Sequence, residues 1–461
     1  MVSGMEKASL PGTAPTDRGI YGSLLKIALP AMAGSFVETL YNLTDAFFLG
    51  KLGAAEISAP SIAFPILFFL IVFGNGLSGA GTTLIAQSKG RGDPEKMNGY
   101  LNQMVFFLGL ASLLFMLLGL ASALPLLKLL KTPAEVLGPA HTYLSIALLG
   151  MPFMFAYFSL QAGFMALGDS FTPLWVHLLA VGVNVILDPL LIFGLGPLPR
   201  LGVAGAAIAT VASQGVAAFL SVAILVRGRY GLRLSRKAMR PRAEAFKLFM
   251  RIGLPSSVGQ GLSALGFTVL QGVVNFFGAS AIAAFGVGNR IISLFDIPAH
   301  GIASAATSLT GQALGAGDPR RAKRVVKAAL VACLLLLAPP LCASFFWGGG
   351  LVRFFVDDPE AIRLGGVMFK IVSPSVLLFG LYLVTTGAFQ GAGATRIIMV
   401  LAIARLWLIR VPLASFLAFR LGTGPVSIWY AMFVSNAATA LAGFLYYRKG
   451  AWLHAMKGRA I

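Results

Sequence analysis

The chain has 461 residues, of which 57% are hydrophobic and only 11% are charged, and its mean hydropathy is +0.84. This composition excludes an ordinary soluble protein of two or three domains. The formal net charge of +20 would suggest nucleic-acid binding in a soluble protein, so the positions of the basic residues have to decide its meaning. The two cysteines have no spacing that indicates a disulfide framework or a metal site.

Apolar runs of roughly 22–27 residues recur along the chain, and each is long enough to cross a bilayer core as a helix. The sequence therefore predicts an all-α polytopic membrane protein. We expect twelve spans, near residues 21–49, 57–82, 99–125, 136–162, 173–195, 202–226, 248–274, 281–306, 325–347, 364–389, 397–418 and 425–447.

Lysine and arginine concentrate on one side of these predicted spans. If both termini lie on that side, the terminal tails and the even-numbered loops carry most of the basic residues. The positive-inside rule then predicts cytoplasmic termini in the plasma (inner) membrane. The net charge is thus a topology signal, the run from Arg227 to Arg242 is expected to be a solvated linker, and no nucleic-acid partner is expected.

An internal repeat organises the chain. Leu29-Pro30 recurs 225 residues later as Leu254-Pro255, and Gln87-Ser-Lys-Gly-Arg-Gly-Asp-Pro94 meets Gln312-Ala-Leu-Gly-Ala-Gly-Asp-Pro319 in the same register. Because each half has six spans, both halves insert with the same orientation and can enclose a central cavity. The predicted parts are a tail (1–20), an N-lobe with spans 1–6 (21–226), a basic linker (227–245), a C-lobe with spans 7–12 (246–450) and a second tail (451–461).

The first span carries polar residues on a single helix face, at positions i, i+3, i+4 and i+7. A carboxylate in hydrocarbon is costly, by about 2.5–3.5 kcal/mol on insertion scales, so this face should look into the bundle or a cavity. The residues are Glu38, Tyr41, Asn42 and Asp45.

Four further polar residues are expected at the depth of Asp45, in the outer half of the membrane: Tyr143, Asn184, Asp188 and Thr210. Carboxylate, amide and hydroxyl oxygens are the hard ligands that a small desolvated cation prefers. Two neighbouring carboxylates in a low dielectric also ionise in separate steps. The group is therefore predicted to bind sodium, a proton, or each in turn, and the alternative is that it only links helices by hydrogen bonds.

Other intramembrane polar residues have two interpretations. His177 shares a helix face with Asn184 and Asp188, so it could sense protonation there or be a buried core histidine. In the C-lobe we expect buried ion pairs, with a second coupling site as the alternative. The residues of these predicted pairs are Asp296, Lys370, Arg405 and Arg410.

Taken together, several motifs resemble those of the MATE (multidrug and toxic compound extrusion) transporters. They are Thr39-Leu-Tyr-Asn-Leu-Thr-Asp45, Phe48-Leu-Gly50, the two Gln-x-x-Gly-x-Gly-Asp-Pro turns, Ala166-Leu-Gly-Asp169, Asn184-x-x-x-Asp188-Pro189 and Gly205-Ala-Ala-Ile-Ala-Thr210. The resemblance covers nearly the whole chain, although any one motif alone would be weak. The N-lobe acid pair is similar to that of archaeal and related bacterial members.

The resemblance implies the MATE/MOP fold of two V-shaped lobes. It also implies antiport that exports amphipathic, often cationic, organic compounds in exchange for Na⁺ and/or H⁺. No cofactor other than the coupling ion is implied, and we expect a monomer whose partners are small-molecule substrates and the lipid bilayer. The implied cation site comprises Asp45, Asn184, Asp188, Thr210 and the Ala206 carbonyl. The expected substrate path comprises Glu38, Tyr41, Asn42, Tyr143, Gln161 and His177.

The same residues bear on two other functions, a flippase and a membrane-embedded enzyme. A lipid or lipid-linked oligosaccharide flippase of the same superfamily would need a cationic cavity for a pyrophosphate headgroup, and Lys370, Arg405 and Arg410 keep that alternative open. A membrane-embedded enzyme would need clustered His/Asp metal ligands or a Ser–His pair at matching depth. The sequence shows neither arrangement, so an enzyme is not expected.

Overall fold

The computed structural model describes residues 17–194, 199–228, 231–235 and 237–456, and its regular elements are all helical. The helices are α1 (Asp17–Gly50), α2 (Ala54–Gly90), α3 (Pro94–Leu129), α4 (Ala134–Leu149), α5 (Met151–Ala166), α6 (Phe171–Phe193), α7 (Val203–Arg227), α8 (Ala243–Asn275), α9 (Ala279–Gly315), α10 (Pro319–Arg353), α11 (Pro359–Gly391), α12 (Thr395–Ile403), α13 (Val411–Phe419) and α14 (Val426–Lys449). A π-helical segment, Ala404–Arg410, joins α12 to α13, and a 3-10 turn, Ala451–His454, follows α14.

The prediction of an all-helical protein with twelve spans is confirmed. Within the described residues, eleven helices or joined helices are long and apolar enough to cross a membrane, and the pair α4 and α5 completes the twelve. This pair bends by 46° at Gly150. Pro152 starts α5 there, and because proline has no backbone N–H it cannot continue the hydrogen-bond ladder of α4.

The predicted tails are only partly described. Residues 1–16 and 457–461 lie outside the described residues. The first residues of the C-terminal tail pack on the C-lobe, because the buried Trp452 ring stacks on Tyr447 at 5.6 Å and its Nε1 donates to the Tyr447 carbonyl at 3.0 Å. This part of the chain is therefore a fixed cap on α14 rather than a free tail.

The repeated Gly-Asp-Pro motif forms the same helix start in both halves. Gly92 and Gly317 have φ values of +70° and +73°, a backbone conformation that favours glycine. The following aspartates cap α3 and α10, since the Asp93 carboxylate accepts from the Lys96 amide at 2.9 Å and the Asp318 carboxylate accepts from the Arg321 amide at 2.8 Å. Proline then occupies the first helical turn, where its missing N–H costs nothing.

A pair of repeat-related glutamines joins the two lobes, and we call it the glutamine latch. Gln87 of α2 donates through Nε2 to the Gly391 carbonyl of α11 at 3.0 Å. Gln312 of α9 donates in the same way to the Ala166 carbonyl of α5 at 2.8 Å. Beside the latch, α2 and α9 approach so closely that a Cβ added at Gly90 or Gly315 would overlap the backbone carbonyl of Gln312 or Gln87.

The lobes touch mainly on one side of the bundle, which we call the linker face because the chain between α7 and α8 lies there. Among the described residues, the hydrogen bonds between lobes come from helix halves near this face, at Thr83, Gln87, Ser257, Ser308 and Gln312. In the part of the chain that the structure describes, no hydrogen bond joins the lobes in the helix halves near the opposite face. The two lobes therefore form a V that opens away from the linker face.

The first helix of each lobe begins inside the other lobe. Leu24 and Ile27 of α1 pack in the C-lobe core, whereas Leu248 and Phe249 of α8 pack in the N-lobe core. Both helices contain a proline just beyond this exchanged end, Pro30 in α1 and its repeat mate Pro255 in α8. A proline inside a helix removes one backbone hydrogen bond, so each helix is weakened where it returns to its own lobe.

The basic linker is pinned to α3 by three amide side chains, which we call the amide ladder. Asn98 donates to the Gly231 carbonyl and accepts from the Arg233 amide, and Asn102 donates to the Arg233 carbonyl and accepts from the Ser235 amide. Gln103 continues the pattern by accepting from the amide of Arg242 at 3.0 Å. The described linker residues 231–235 and 237–242 are therefore docked along α3, whereas the sequence predicted only a solvated connection.

Replacing Asn102 by alanine is expected to free the linker. The change removes two hydrogen bonds and leaves linker backbone groups unpaired in a partly buried place, a loss of about 1–3 kcal/mol. Limited trypsin digestion should then cut at Arg233 or Lys237 several times faster than in the wild type. Ser122→Ala, at the other end of α3, is the control, and an unchanged cleavage rate for Asn102→Ala would contradict the ladder.

Candidate functional site

Asp45 and Asp188, the acid pair predicted for the N-lobe, lie together on the side of the bundle away from the linker face. Asp188 and Asn184 of α6 are fully buried, and Asp45 of α1 is half-buried beside them. With its amide nitrogen turned toward the acids, Asn184 donates to Asp45 Oδ1 at 3.2 Å and to Asp188 Oδ2 at 3.3 Å. The two carboxyl groups also lie within hydrogen-bonding reach of each other.

No basic side chain neutralises this pair. The ion pairs formed by the described residues are Lys96–Asp93 and Arg363–Glu360, both on exposed helix ends. Burying two unpaired carboxylates next to each other is costly, because each loses its hydration and they repel one another. A proton or a cation bound at the pair would offset this cost.

Thr210 of α7 completes the group of oxygens. Its hydroxyl lies beside Asp45 and Tyr41, yet within the described residues this buried oxygen has no hydrogen bond of normal geometry. Ala206, one helical turn earlier on α7, is also buried, and a role for its carbonyl stays a prediction. The arrangement offers an unused hydroxyl oxygen to whatever occupies the acid pair.

Tyrosines surround the acid pair. Tyr41 lies between Asp45 and the interior of the lobe, with Tyr143 of α4 as its neighbour. Both rings are close enough to the acids to interact electrostatically with them. The acid pair is thus walled by phenol groups and not by hydrocarbon alone.

A cavity of about 310 Å³ extends from Tyr41 into the N-lobe. Of the residues predicted for the substrate path, this cavity is lined by Glu38, Tyr41, Asn42, Gln161 and His177. Tyr143 does not line it and belongs instead to the surroundings of the acid pair. The structure therefore brings five of the six predicted path residues to one space, and Tyr41 belongs to both that space and the acid pair.

Glu38 faces this cavity. The surrounding helices enclose its side chain, and the surface that it leaves accessible faces the cavity and not the outside of the protein. Tyr157 of α5 lies near Glu38 and stacks on His177 with ring centres 5.8 Å apart. His177 Nε2 is buried and has no hydrogen-bond partner among the described residues. The cavity wall therefore presents an acid, a phenol and an imidazole to a ligand.

Sequence reasoning missed several polar residues of this wall. They are Asn75, Tyr157, Ser213, Gln214, His300 and Ser304. Tyr157 could have been found, since it precedes Gln161 by one helical turn and so shares its face. His300 and Ser304 belong to the C-lobe helix α9, and only the packing of the two lobes brings them to the N-lobe cavity.

The ion pairs predicted for the C-lobe are not formed. Asp296 has no basic partner within 4.0 Å, and its Oδ1 is buried without a hydrogen-bond partner among the described residues. Lys370 is exposed on α11. Arg405 and Arg410 lie on the π-helical segment, whose wider turn shifts side chains away from the faces that an α-helical period predicts.

Arg410 is buried against neutral groups. Its Nε donates to Ser435 Oγ at 2.9 Å and its Nη2 donates to Asn436 Oδ1 at 2.6 Å. Ser435 lies 225 residues after Thr210 and is therefore its repeat mate, and leucines replace both acids at the corresponding positions. The C-lobe thus has a guanidinium at the part of its repeat that corresponds to the acid pair of the N-lobe.

Comparisons with known proteins show the family and the fold of this chain. A family model described as MatE matches residues 30–190 and 255–416, two ranges that begin at repeat-related positions. The "Probable multidrug resistance protein YpnP" of Bacillus subtilis is 31% identical over 438 residues, covering 95% of this chain and 97% of the relative. The "FAD transporter" of Shewanella oneidensis is 30% identical over 399 residues, covering 85% and 87%.

Among solved structures, one described as "Outward-facing conformation of a multidrug resistance MATE family transporter of the MOP superfamily" has a TM-score of 0.87 and 24% identity, and covers 95% of this chain and 97% of its own. This similarity shows a shared fold. The family model covers more than half of the chain, and the Bacillus relative exceeds 30% identity over nearly its full length. The chain therefore belongs to the MatE family of multi-pass membrane transporters.

Proposed function

We propose that this protein is a secondary antiporter that exports amphipathic, often cationic, organic compounds in exchange for Na⁺ and/or H⁺. The observation that carries the proposal is the buried pair of Asp45 and Asp188, bridged by one asparagine amide and left without a basic partner among the described residues. The name of the Bacillus relative, a probable multidrug resistance protein, supports export of several compounds as the transport activity.

The residues present fit a small hard cation. Two carboxylates and the unused Thr210 hydroxyl supply oxygens from α1, α6 and α7. The Asn184 amide, which donates to both acids, would add its oxygen after a half-turn of the amide group. Such ligands suit Na⁺, and the same carboxylates suit a shared proton. Because three helices contribute, occupancy of the pair changes how tightly these helices pack at the opening of the V.

Coupling to substrate follows from the position of Tyr41. The phenol borders the acid pair on one side and the N-lobe cavity on the other, so cation binding and substrate binding share one wall. A cation that binds more tightly to one arrangement of the lobes shifts the population toward it, and the substrate affinity changes reciprocally. Export then follows if the linker face is cytoplasmic and the protein lies in the plasma (inner) membrane, as we propose.

Transport by the purified protein in liposomes tests this function. Ethidium serves as the cationic probe, and inward gradients of Na⁺ and of protons are imposed separately. We expect ethidium movement to accelerate under at least one of the two gradients and to stop when both are dissipated. Equal rates with and without gradients would refute the antiport mechanism, and the responsive gradient identifies the coupling ion.

Removing the Thr210 hydroxyl is expected to weaken cation binding without unfolding the protein. The oxygen makes no hydrogen bond of normal geometry among the described residues, so Thr210→Ala loses a ligand of the bound ion and one methyl group. The cation concentration for half-maximal transport should rise about tenfold, the effect of roughly 1.4 kcal/mol. Thr210→Ser keeps the oxygen and should stay near wild type, whereas an equal rise in both variants would show a packing effect.

The flippase alternative finds less support. It requires a cluster of cationic groups around a pyrophosphate, whereas Lys370 is exposed on α11 and the Arg410 donors are taken up by Ser435 and Asn436. Of the three basic residues considered for it, Arg405 alone lines a described cavity. One arginine fits a single anionic group better than a diphosphate.

A further inference from the structure

The C-lobe contains a second cavity of about 740 Å³, which we call the C-lobe chamber. It is bounded by α8, α9, α11 and the π-helical segment, and the phenylalanines at 64, 68 and 69 of α2 close one side. Its polar lining includes Ser256, Gln260, Ser263, His300, Thr386 and Arg405. We propose that this chamber binds the carboxylate or phosphate group of an aromatic, amphipathic ligand through the Arg405 guanidinium.

Arg405 is an unpaired charge in the chamber wall. The side chain is 6% exposed, and among the described residues it makes no hydrogen bond and no ion pair within 4.0 Å. Its Nε is fully enclosed and lacks any acceptor. A buried guanidinium without a partner is costly, so an anion that enters the chamber gains the interaction that the protein leaves unmade.

Aromatic rings hold this guanidinium in place. Its central carbon lies 4.5 Å from the ring centre of Phe379 and 5.6 Å from that of Tyr382. Stacking uses the flat face of the guanidinium and leaves its N–H edges free, and those edges match a carboxylate or phosphate. The remaining apolar wall, including the phenylalanines of α2, suits the ring system of an aromatic ligand.

Two neighbours show that Arg405 is not simply another buried arginine. Arg410, five residues later on the same π-helical segment, uses two of its N–H donors in hydrogen bonds to Ser435 and Asn436. Asp296 is the carboxylate close enough to interact electrostatically with Arg405, but it lies beyond 4.0 Å and does not line the chamber. The free donors of Arg405 are therefore available to a ligand.

The C-lobe chamber adjoins the N-lobe cavity, since His300 and Ser304 line both. Glu38 lines the N-lobe cavity and Arg405 lines the chamber, so the adjoining cavities offer an acidic side chain in one and a guanidinium in the other. The substrate class that matches this space includes organic anions and zwitterions as well as cations. The anion site extends the proposed transport function and depends on it wherever transport is measured. The binding experiment below does not depend on it.

Binding of two related flavins tests the site. Riboflavin and flavin mononucleotide share one ring system and differ by a phosphate, and fluorescence polarisation with purified protein in phosphatidylcholine nanodiscs measures each without any ion gradient. Wild type should bind flavin mononucleotide at least about tenfold more tightly than riboflavin. Arg405→Gln should abolish this preference, Arg405→Lys should keep part of it, and Arg290→Gln, an exposed arginine of α9, should leave it unchanged.

A second arm separates a soluble ligand from a lipid headgroup. Nanodiscs containing phosphatidylglycerol are compared with phosphatidylcholine nanodiscs, and lipid retained by the protein is measured by native mass spectrometry. Phosphatidylglycerol that is retained by wild type but lost in Arg405→Gln assigns the site to a lipid anion. Dependence of flavin mononucleotide binding alone on Arg405 assigns it to a soluble one.

Three results would overturn the proposal. The first is equal binding of both flavins to wild type together with no Arg405-dependent lipid, a measurement that needs no variant to fold. The second is an anion preference that survives in Arg405→Gln. The third is loss of that preference in Asp296→Asn, which would make Asp296 the working partner of Arg405. Gradient-driven ethidium transport by the wild-type protein, measured in parallel, keeps a failure here distinct from a failure of the antiport mechanism.

Discussion

Asp45→Asn and Asp188→Asn are each expected to slow gradient-driven ethidium transport by about 5- to 150-fold, the range that a typical coupling free energy spans. Asparagine keeps the size and hydrogen-bonding capacity of the side chain but cannot hold a proton or compensate a cation. Since the two acids lie on either side of one amide, a single neutral substitution destroys the pair. Ethidium binding without a gradient should change far less than transport.

The control for these variants is Glu135→Gln, an exposed acid in the first turn of α4. It removes the same charge from the same lobe and should transport as wild type. Both asparagine variants should also remain folded, because they remove a pair of buried carboxylates that is costly without a bound cation. Wild-type transport by both Asp45→Asn and Asp188→Asn, under Na⁺ and proton gradients alike, would remove the acid pair from the mechanism.

Gly90→Ala and Gly315→Ala are expected to separate α2 from α9 at the linker face. A methyl group at either position would overlap a backbone carbonyl of the other lobe, and backbone cannot swing aside as a side chain can. Overpacking of this kind costs about 1–3 kcal/mol, which changes the ratio of open to closed lobes by about 5- to 150-fold. Separation of α2 and α9 would also break the glutamine latch.

Distances between spin labels at Lys96 and Arg320 can measure this opening, since both are exposed and belong to different lobes. Cys333 and Cys342 are first replaced by serine. The distance distribution should move to longer values in both glycine variants. Gly99→Ala is the control, because nothing lies within 4 Å of a Cβ at that position of α3. Unchanged distances in Gly90→Ala would show that the closure tolerates the methyl group.

The fold was predictable because its strongest signals are local. Long apolar runs give the spans, and the Gly-Asp-Pro turns start α3 and α10 with a left-handed glycine, a capping aspartate and a proline. The meeting of Asp45 with Asp188 was also predictable, since helix direction and depth place both near one face of the bundle. Each of these inferences needs only an α-helical period and the order of the spans.

The C-lobe arginines were not predictable by the same means. The segment Ala404–Arg410 winds as a π-helix, so an α-helical period assigns the wrong faces to Arg405 and Arg410. The expected ion pair with Asp296 followed from charge alone, whereas the structure satisfies Arg410 with uncharged oxygens. No composition or spacing rule distinguishes a carboxylate partner from a serine and an asparagine.

Contacts between lobes were beyond the sequence for a different reason. The repeat indicated that Gln87 and Gln312 are equivalent, but their acceptors, Gly391 and Ala166, are carbonyl groups of the other lobe. Every residue has a backbone carbonyl, so the amino-acid sequence does not indicate which carbonyl accepts a hydrogen bond. The amide ladder was hidden in the same way, since its partners are the main chain of a linker whose composition indicates only solvation.

The exchanged ends of α1 and α8 determine where the molecule can swivel. Because Leu24 travels with the C-lobe and Phe249 with the N-lobe, neither moving body consists of six complete helices. The connection between the lobes is docked along α3, so it cannot accommodate a rotation of one lobe against the other. Such a rotation must instead bend α1 and α8 partway along their length. Pro30 and Pro255 therefore mark the two places where these helices bend most easily. If the lobes alternate as proposed, a residue that restores the missing backbone hydrogen bond at Pro255, which lines neither ligand cavity, would slow that movement without changing a ligand contact.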